Sequence, residues 1–296
     1  GSEATFESAT TYYISATFDS TNNKVVIAHR DGGNSNYGTA IVGTVSGTGI
    51  NFGSATVFES ARTDRISTTF DSTNGKVVIA YADYGNSNYG TAIVGTVSGT
   101  SISFGSAVVF ESANTNSYMS AIFDSSSNKV VIAYQDGGNS SHGTAIVGTV
   151  SGTSISFGTP VVYESAEAGF TAATYDSTKE KVVIAYRDYG NSNYGTAIVG
   201  TVSGTSISFG SAVVFESGGT YYTSATYDSA NGKVVISYQD EGNSNYGTAV
   251  VFSSDTIGTN LTSSNFLGFS DADYSDGATA TIQIVGSIDD AQTGLT

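Results

Sequence analysis

Apolar and polar residues alternate through "YISATFD" (13–19), where Ile14, Ala16 and Phe18 are separated by Ser15 and Thr17. A period of two predicts a β-strand with one covered face. A β-branched run follows, "KVVIAHR" (24–30), entered through the turn residues "DSTNNK". The second copy of that turn reads "DSTNGK", and Asn-Gly is the strongest short hairpin signal. Two more strand-like runs are "YGTAIVGTVSG" (37–47) and a segment of the form "ISFGSAVVFES", entered through "SGTS". Every connection is a few residues long, which predicts antiparallel pairing of sequence neighbours.

These four runs recur five times. Their shared aspartates, Asp31, Asp83, Asp136, Asp188 and Asp240, are 52, 53, 52 and 52 residues apart. The one extra residue falls between Glu111 and Ala121, which predicts a loop there. Four short antiparallel strands in each repeat predict an all-β fold, a five-bladed β-propeller of four-stranded antiparallel blades. The chain opens on "ATFES" (4–8), equivalent to the fourth strand "ATVFES", and the last repeat has three strands before "SSDTIGTN" (253–260). The N-terminal strand 4–8 is therefore expected to complete the blade of 220–253, closing the ring and removing exposed sheet edges. An open solenoid of stacked β units is the alternative. The expected domains are the propeller, 1–254, and a short C-terminal β-containing tail, 255–296, which has a candidate strand in "ATATIQIVGSI" (278–288) and reads as the start of a further module. Gly1-Ser2 reads as an expression scar.

Composition narrows the chemistry. Gly is abundant at 36, Pro160 is the one proline, and cysteine is absent, which excludes disulfides, thiolate metal sites and cysteine nucleophiles. A formal charge of −16 argues against nucleic acid and anionic membranes as partners, and leaves cations, neutral sugars or a basic protein surface. No apolar stretch approaches eighteen residues, so membrane insertion is not expected.

Because the repeats are near copies, their differences are informative. The segments after each "FES" or "YES" read "ATTYYIS" (9–15), "ARTDRIS" (61–67), "ANTNSYMS" (113–120), "AEAGFTA" (166–172) and "GGTYYTS" (218–224). The second strand ends in His29-Arg30, Tyr81-Ala82, Tyr134-Gln135, Tyr186-Arg187 or Tyr238-Gln239. The position after the shared aspartate holds Gly32, Tyr84, Gly137, Tyr189 or Glu241. Strands of a blade run alternately up and down, so both variable places open as loops on one face, while the nearly fixed turns "DSTNGK" and "VSGTS" lie on the other. Variation confined to one face of a rigid frame predicts a binding surface. Unrestrained drift is the competing explanation, and the constancy of the opposite turns speaks against it. The candidate ligand-binding residues are Tyr12, Tyr13, Arg30, Arg62, Asp64, Arg65, Asn116, Tyr118, Gln135, Glu167, Phe170, Arg187, Tyr221, Tyr222 and Gln239. Aromatic rings beside Arg, Asn and acidic groups form adaptable binding sites, and they suit sugars, which present apolar C–H faces and hydroxyl edges.

In "RDYGNSNYGT" and its copies, Asp31, Asp83, Asp136, Asp188 and Asp240 are weak candidates for Ca²⁺ ligands. Side-chain bonding to the local turn backbone is the leading expectation there, and no cofactor is expected. The stretch loosely resembles the Asp-box hairpin of sialidases, with the spacing off by one. A glycosidase needs unlike carboxylates around one pocket, whereas Asp19, Asp71, Asp124, Asp176 and Asp228, like Glu7, Glu59, Glu111, Glu164 and Glu216, are equivalent copies. Asp64 and Glu167 are the singular acids of the variable face, and His29 and His142 lie in different repeats without a serine nucleophile motif, so no enzyme is expected.

The ring of repeats resembles the symmetric five-bladed lectin propellers in architecture, which implies weak sugar sites, one per blade, that add by avidity. The tail "SNFLGFSDADYSDGATATIQIVGSIDDAQTGLT" (264–296) resembles a short module of marine bacteriophage tail-fibre and structural proteins, and "GNSNYGTAIVGTVSGTSISF" resembles repeats of marine phage and bacterial proteins. These imply an extracellular or virion location and a receptor-binding or adhesive role toward a cell-surface glycan or receptor, among other virion or secreted-assembly proteins. The alternative is a structural spacer or protein-docking platform in such an assembly.

Overall fold

The computed structural model describes residues 1–115, 117–255, 269–270 and 282–283. The chain forms two compact bodies, Gly1–Ser254 and Asp255–Thr296. The first is built of antiparallel strands in five successive groups. The first repeat holds β1 (Thr11–Asp19), β2 (Lys24–Asp31), β3 (Tyr37–Ser46), β4 (Gly49–Phe52) and the start of β5 (Thr56–Asp71). The second continues with β6 (Lys76–Asp83), β7 (Tyr89–Ser98), β8 (Ser101–Phe104) and β9 (Val108–Asn114). The third has β10 (Met119–Asp124), β11 (Lys129–Asp136), β12 (His142–Ser151), β13 (Ser154–Phe157) and β14 (Val161–Asp176). The fourth adds β15 (Lys181–Asp188), β16 (Tyr194–Ser203), β17 (Ser206–Phe209) and β18 (Val213–Asp228), and the fifth β19 (Lys233–Asp240) and β20 (Tyr246–Phe252).

The sixteen-residue strands β5, β14 and β18 each begin as the outer edge of one repeat and end as the inner strand of the next. They weld the repeats into two large antiparallel sheets of nine and eleven strands. The break between these sheets falls at 115–118, where the third repeat carries its extra residue and β9 and β10 remain separate, so the expected loop is present.

Register explains the packing. In β2 and its copies successive side chains point to opposite faces. One face presents Val26, Ala28, Ala40 and Val42, which are small. The opposite face of the next repeat presents Val77, Ile79, Tyr81, Ile93, Val97 and Ile102, joined by Phe58 and Ile66. The same residue types meet at three further seams. Serine side chains stitch the inner strands across the seams: Ser67 Oγ accepts from Ala121 N at 2.9 Å and Ser120 Oγ from Ala173 N at 3.0 Å. Five repeats make four such seams, and the outermost faces stay open. Val251 is 64% exposed where the equivalent Val42 is 0% exposed, and Ile14 is 55% exposed where Ile66 is 8%.

Residues 4–8, expected to close the last repeat, form no strand here, and β20 pairs with β19 alone. They lie on the first repeat instead. Phe6 rests on His29 at 5.2 Å and Phe52 at 5.9 Å, as Phe58 rests on Tyr81 at 5.3 Å and Phe104 at 5.8 Å. Gly1 faces the Thr48 carbonyl as Gly53 faces that of Thr100. Gly1 thus occupies the position that Gly53 takes in the next repeat. In the second body, β21 (Phe269–Ser270) pairs with β22 (Ile282–Gln283). The remainder of the candidate strand 278–288 lies outside the described residues.

The turns at one end of the strands are locked by their own side chains. Asp19 accepts from Thr21 N and Asn22 N at 2.9 Å, and Asp71 accepts from Thr73 N at 3.0 Å and Asn74 N at 2.9 Å. One position in each turn is left-handed: Asn23, Gly75, Asn128, Glu180 and Gly232, with φ from 55° to 62°. The aspartate lock recurs in all five turns, which accounts for the constancy of this face.

Candidate functional site

The variable segments were expected as loops. In β5, β14 and β18 they are instead the middle of continuous strands, interrupted by a bulge, and β1 carries the same bulge near its start. Pairing with the second strand slips between Tyr12 and Ser15, Asp64 and Ser67, Gly169 and Ala172, and Tyr221 and Ser224. Within each slip sits a residue in the left-handed region: Tyr13 (φ 49°), Arg65 (54°), Phe170 (49°) and Tyr222 (52°). A bulky side chain held there costs on the order of 1–3 kcal/mol. The same strain recurs at one position of four repeats, and it swings that side chain out of the ladder. The third repeat reaches the same place by its longer segment, with Tyr118 outside the strands and its carbonyl accepting from Gln135 N at 3.1 Å.

These side chains meet across the repeats. The Arg65 guanidinium lies 5.2 Å from the Tyr13 ring and 5.4 Å from the Tyr118 ring. Tyr118 packs on Phe170 at 4.5 Å, and Phe170 packs edge-on against Tyr221 and Tyr222, each at 5.3 Å. Arg30 stacks on Tyr12 at 4.1 Å and Tyr13 at 4.9 Å, and Arg187 stacks on Tyr221 at 4.1 Å. The result is a belt of rings and guanidinium groups touched by all five repeats. All four arginines of the chain belong to it or border it.

The candidate residues divide by exposure. Tyr222 is 74% exposed and Tyr12 is also open to solvent. Arg62 is partly exposed and lies over the Tyr84 ring at 4.7 Å. Glu167 is exposed, and Gln239 pairs opposite Tyr221 in the ladder. Others are buried and act on their neighbours. Asp64 is wholly buried and ion-paired to Arg30 Nη1 and, at 2.8 Å, to Arg62 Nη2. Gln135 Nε2 donates to the Ala168 carbonyl at 3.0 Å and to Glu167 Oε1 at 3.4 Å. Buried Arg30, Arg187 and Gln135 are therefore supports that aim the aromatic residues. Asn116 lies outside the described residues. Tyr84 and Tyr189 join the belt although the sequence reading did not choose them: Tyr189 lies 4.8 Å under Arg187. Their signal was the variable position after the shared aspartate.

The five weak cation candidates are occupied in turns. Asp31 accepts from Gly33 N at 2.8 Å and Asn34 N at 3.1 Å, and Asp136 from Gly138 N at 2.9 Å. Asp83, Asp188 and Asp240 accept from Asn86, Asn191 and Asn243 N at 3.2, 3.0 and 3.0 Å. Burial pushes the Glu59 and Glu111 carboxyls above their usual range, although each accepts a tyrosine hydroxyl. Burial and the nearby Glu164 do the same to Asp188. The belt itself presents flat apolar rings edged by guanidinium donors, an arrangement that stacks on a ligand and hydrogen-bonds its edges.

No family model matches the sequence, and no curated protein is similar to it. The first body does resemble solved structures. The BP39L lectin from Burkholderia pseudomallei superposes with TM-score 0.61 at 12% identity, over 82% of this chain and 67% of that one. AofleA from Arthrobotrys oligospora superposes with TM-score 0.50 at 8% identity, over 81% and 68%. The Hadza microbial sialidase Hz136 stands lower, with TM-score 0.48 at 10% identity, over 77% and 52%. At these identities the likeness is one of fold, and it fits a propeller-like succession of antiparallel sheets.

Proposed function

We propose that this chain is a non-enzymatic, lectin-like binding protein that grips a cell-surface glycan with the aromatic–arginine belt. One observation carries the reading: a strained, left-handed bulge delivers Tyr13, Arg65, Phe170 and Tyr222 to a shared belt in four repeats, and Tyr118 joins them from the third. A feature that costs stability and repeats at the variable position is of use only to something outside the fold. The fold likeness to the BP39L lectin supports the same class of ligand. Asp64, the singular buried acid, is held by two arginines, which supports binding over hydrolysis. A glycan array tests the proposal. The intact protein is expected to retain a subset of glycans, and Tyr221→Ala with Tyr222→Ala to retain none. An array left blank by the intact protein would favour the structural spacer or docking platform.

The proposal extends to the ring. The two open faces carry the same residue types that meet at each seam, and Gly1–Ser8 already lies against the first repeat as Gly53–Ser60 lies against the second. In a closed five-bladed ring, residues 4–8 pair with β20 and Phe6 covers Gly247. Gly143→Ala drives a methyl to within 2.4 Å of the Tyr163 ring, whereas Gly247 has nothing within 4 Å. Gly143→Ala is expected to cost about 1–3 kcal/mol. If the ring closes in solution, Gly247→Ala costs as much; a silent Gly247→Ala in chemical denaturation argues for an open array. We place the protein outside the cell, on a virion appendage or in a secreted adhesive assembly. That placement rests on the resemblance of residues 264–296.

A further inference from the structure

Four repeats share a part-buried contact that the first one breaks. Tyr81, Tyr134, Tyr186 and Tyr238 donate their hydroxyls to Glu59, Glu111, Glu164 and Glu216 at 3.0–3.1 Å. The first repeat keeps the glutamate as Glu7 but has His29 in place of tyrosine. Imidazole is shorter than phenol, so the space of the hydroxyl is vacated while the carboxylate stays. Glu7 Oε1 still accepts from Ala9 N at 2.8 Å, as Glu164 Oε1 accepts from Ala166 N at 2.9 Å. The oxygen that receives tyrosine in the other repeats has no such donor here.

His29 is 0% exposed, and neither Nδ1 nor Nε2 has a hydrogen-bond partner. Two orphaned buried nitrogens are an unusual cost for a native core. Nearby is Asp31, whose Oδ1 is taken by the turn backbone. One ligand atom each from Glu7, His29 and Asp31 lies within 4.8 Å of the others.

We propose that Glu7, His29 and Asp31 bind one divalent transition-metal ion of the zinc type. Imidazole nitrogen with carboxylate oxygen selects such an ion over Ca²⁺, which takes oxygen ligands. The two carboxylates neutralise its charge, and three protein ligands leave a fourth position for water. Tetrahedral coordination needs the ligand atoms roughly 3.4 Å apart, so the three side chains must draw together around the ion. The ion would pin the N-terminal segment to β2, replacing the tyrosine–glutamate bond of the other repeats.

The test is calorimetric titration of chelator-stripped protein with ZnSO₄. One zinc per chain is expected, and His29→Tyr, which restores the residue of the other four repeats, is expected to weaken binding at least 100-fold while leaving the circular dichroism unchanged. Glu7→Gln is expected to weaken it at least tenfold. CaCl₂ is expected neither to bind there nor to displace zinc. Absence of saturable one-to-one zinc binding, or zinc binding by His29→Tyr equal to that of the parent, overturns the site. Ca²⁺ affinity equal to that of zinc overturns its assignment to a transition metal.

Discussion

Asp64→Asn is expected to destabilise the protein by about 3–5 kcal/mol, measured by chemical denaturation. The carboxylate is wholly buried, and it is the counter-charge of Arg30, itself buried, and of Arg62. Neutralising it leaves the Arg30 guanidinium without a partner ion in a place where water cannot compensate. Arg30 already has an unsatisfied Nε, so the site holds no reserve of acceptors. Arg62 is different: its partly exposed side chain can turn to solvent, and Arg62→Ala is expected to cost within about 1 kcal/mol. Arg30 also stacks on Tyr12 and Tyr13, so Asp64→Asn should loosen the first-repeat end of the belt. An Asp64→Asn protein as stable as the parent would show that the ion pair holds nothing in place.

Phe170→Gly is expected to separate binding from stability. Phe170 is the hub between Tyr118, Tyr221 and Tyr222. A central aromatic of a binding surface is worth about 2 kcal/mol or more, so glycan affinity should fall at least about 30-fold. Glycine removes ring packing but also removes the penalty of a bulky residue at φ 49°, about 1 kcal/mol or more. The melting temperature should therefore hold within a few degrees. If Phe170 were a plug of the scaffold, the outcome would reverse, with a large drop in melting temperature. Glycan affinity and calorimetric melting on the same preparation decide between them.

Much of the scaffold was legible in the residues. The period-two runs, the short turns and the spacing of Asp31, Asp83, Asp136, Asp188 and Asp240 sufficed for five antiparallel groups in register. The position of the inserted residue foretold the break between β9 and β10. The bulges were not legible, because left-handed backbone is signalled by glycine or asparagine, and here it is imposed on Tyr13, Arg65, Phe170 and Tyr222 by the strands on either side. Nor was the open state of the ends. Val42 and Val251 are the same residue in equivalent positions, and only the presence of a neighbour distinguishes them. The candidate residues were chosen by variability, which gathers the belt but cannot separate rings that face solvent from supports such as Asp64. That distinction lives in contacts between residues 34 apart, Arg30 and Asp64.

The bulge also bears on how such a protein changes over generations. Pairing resumes at Ser15, Ser67, Ala172 and Ser224 whether the displaced residue is tyrosine, arginine or phenylalanine. The ladder is indifferent to what stands in the slip, although Tyr13 also packs against the core of the first seam. Under the proposed binding role, the displaced residue can thus be exchanged one short stretch at a time in four of the five repeats.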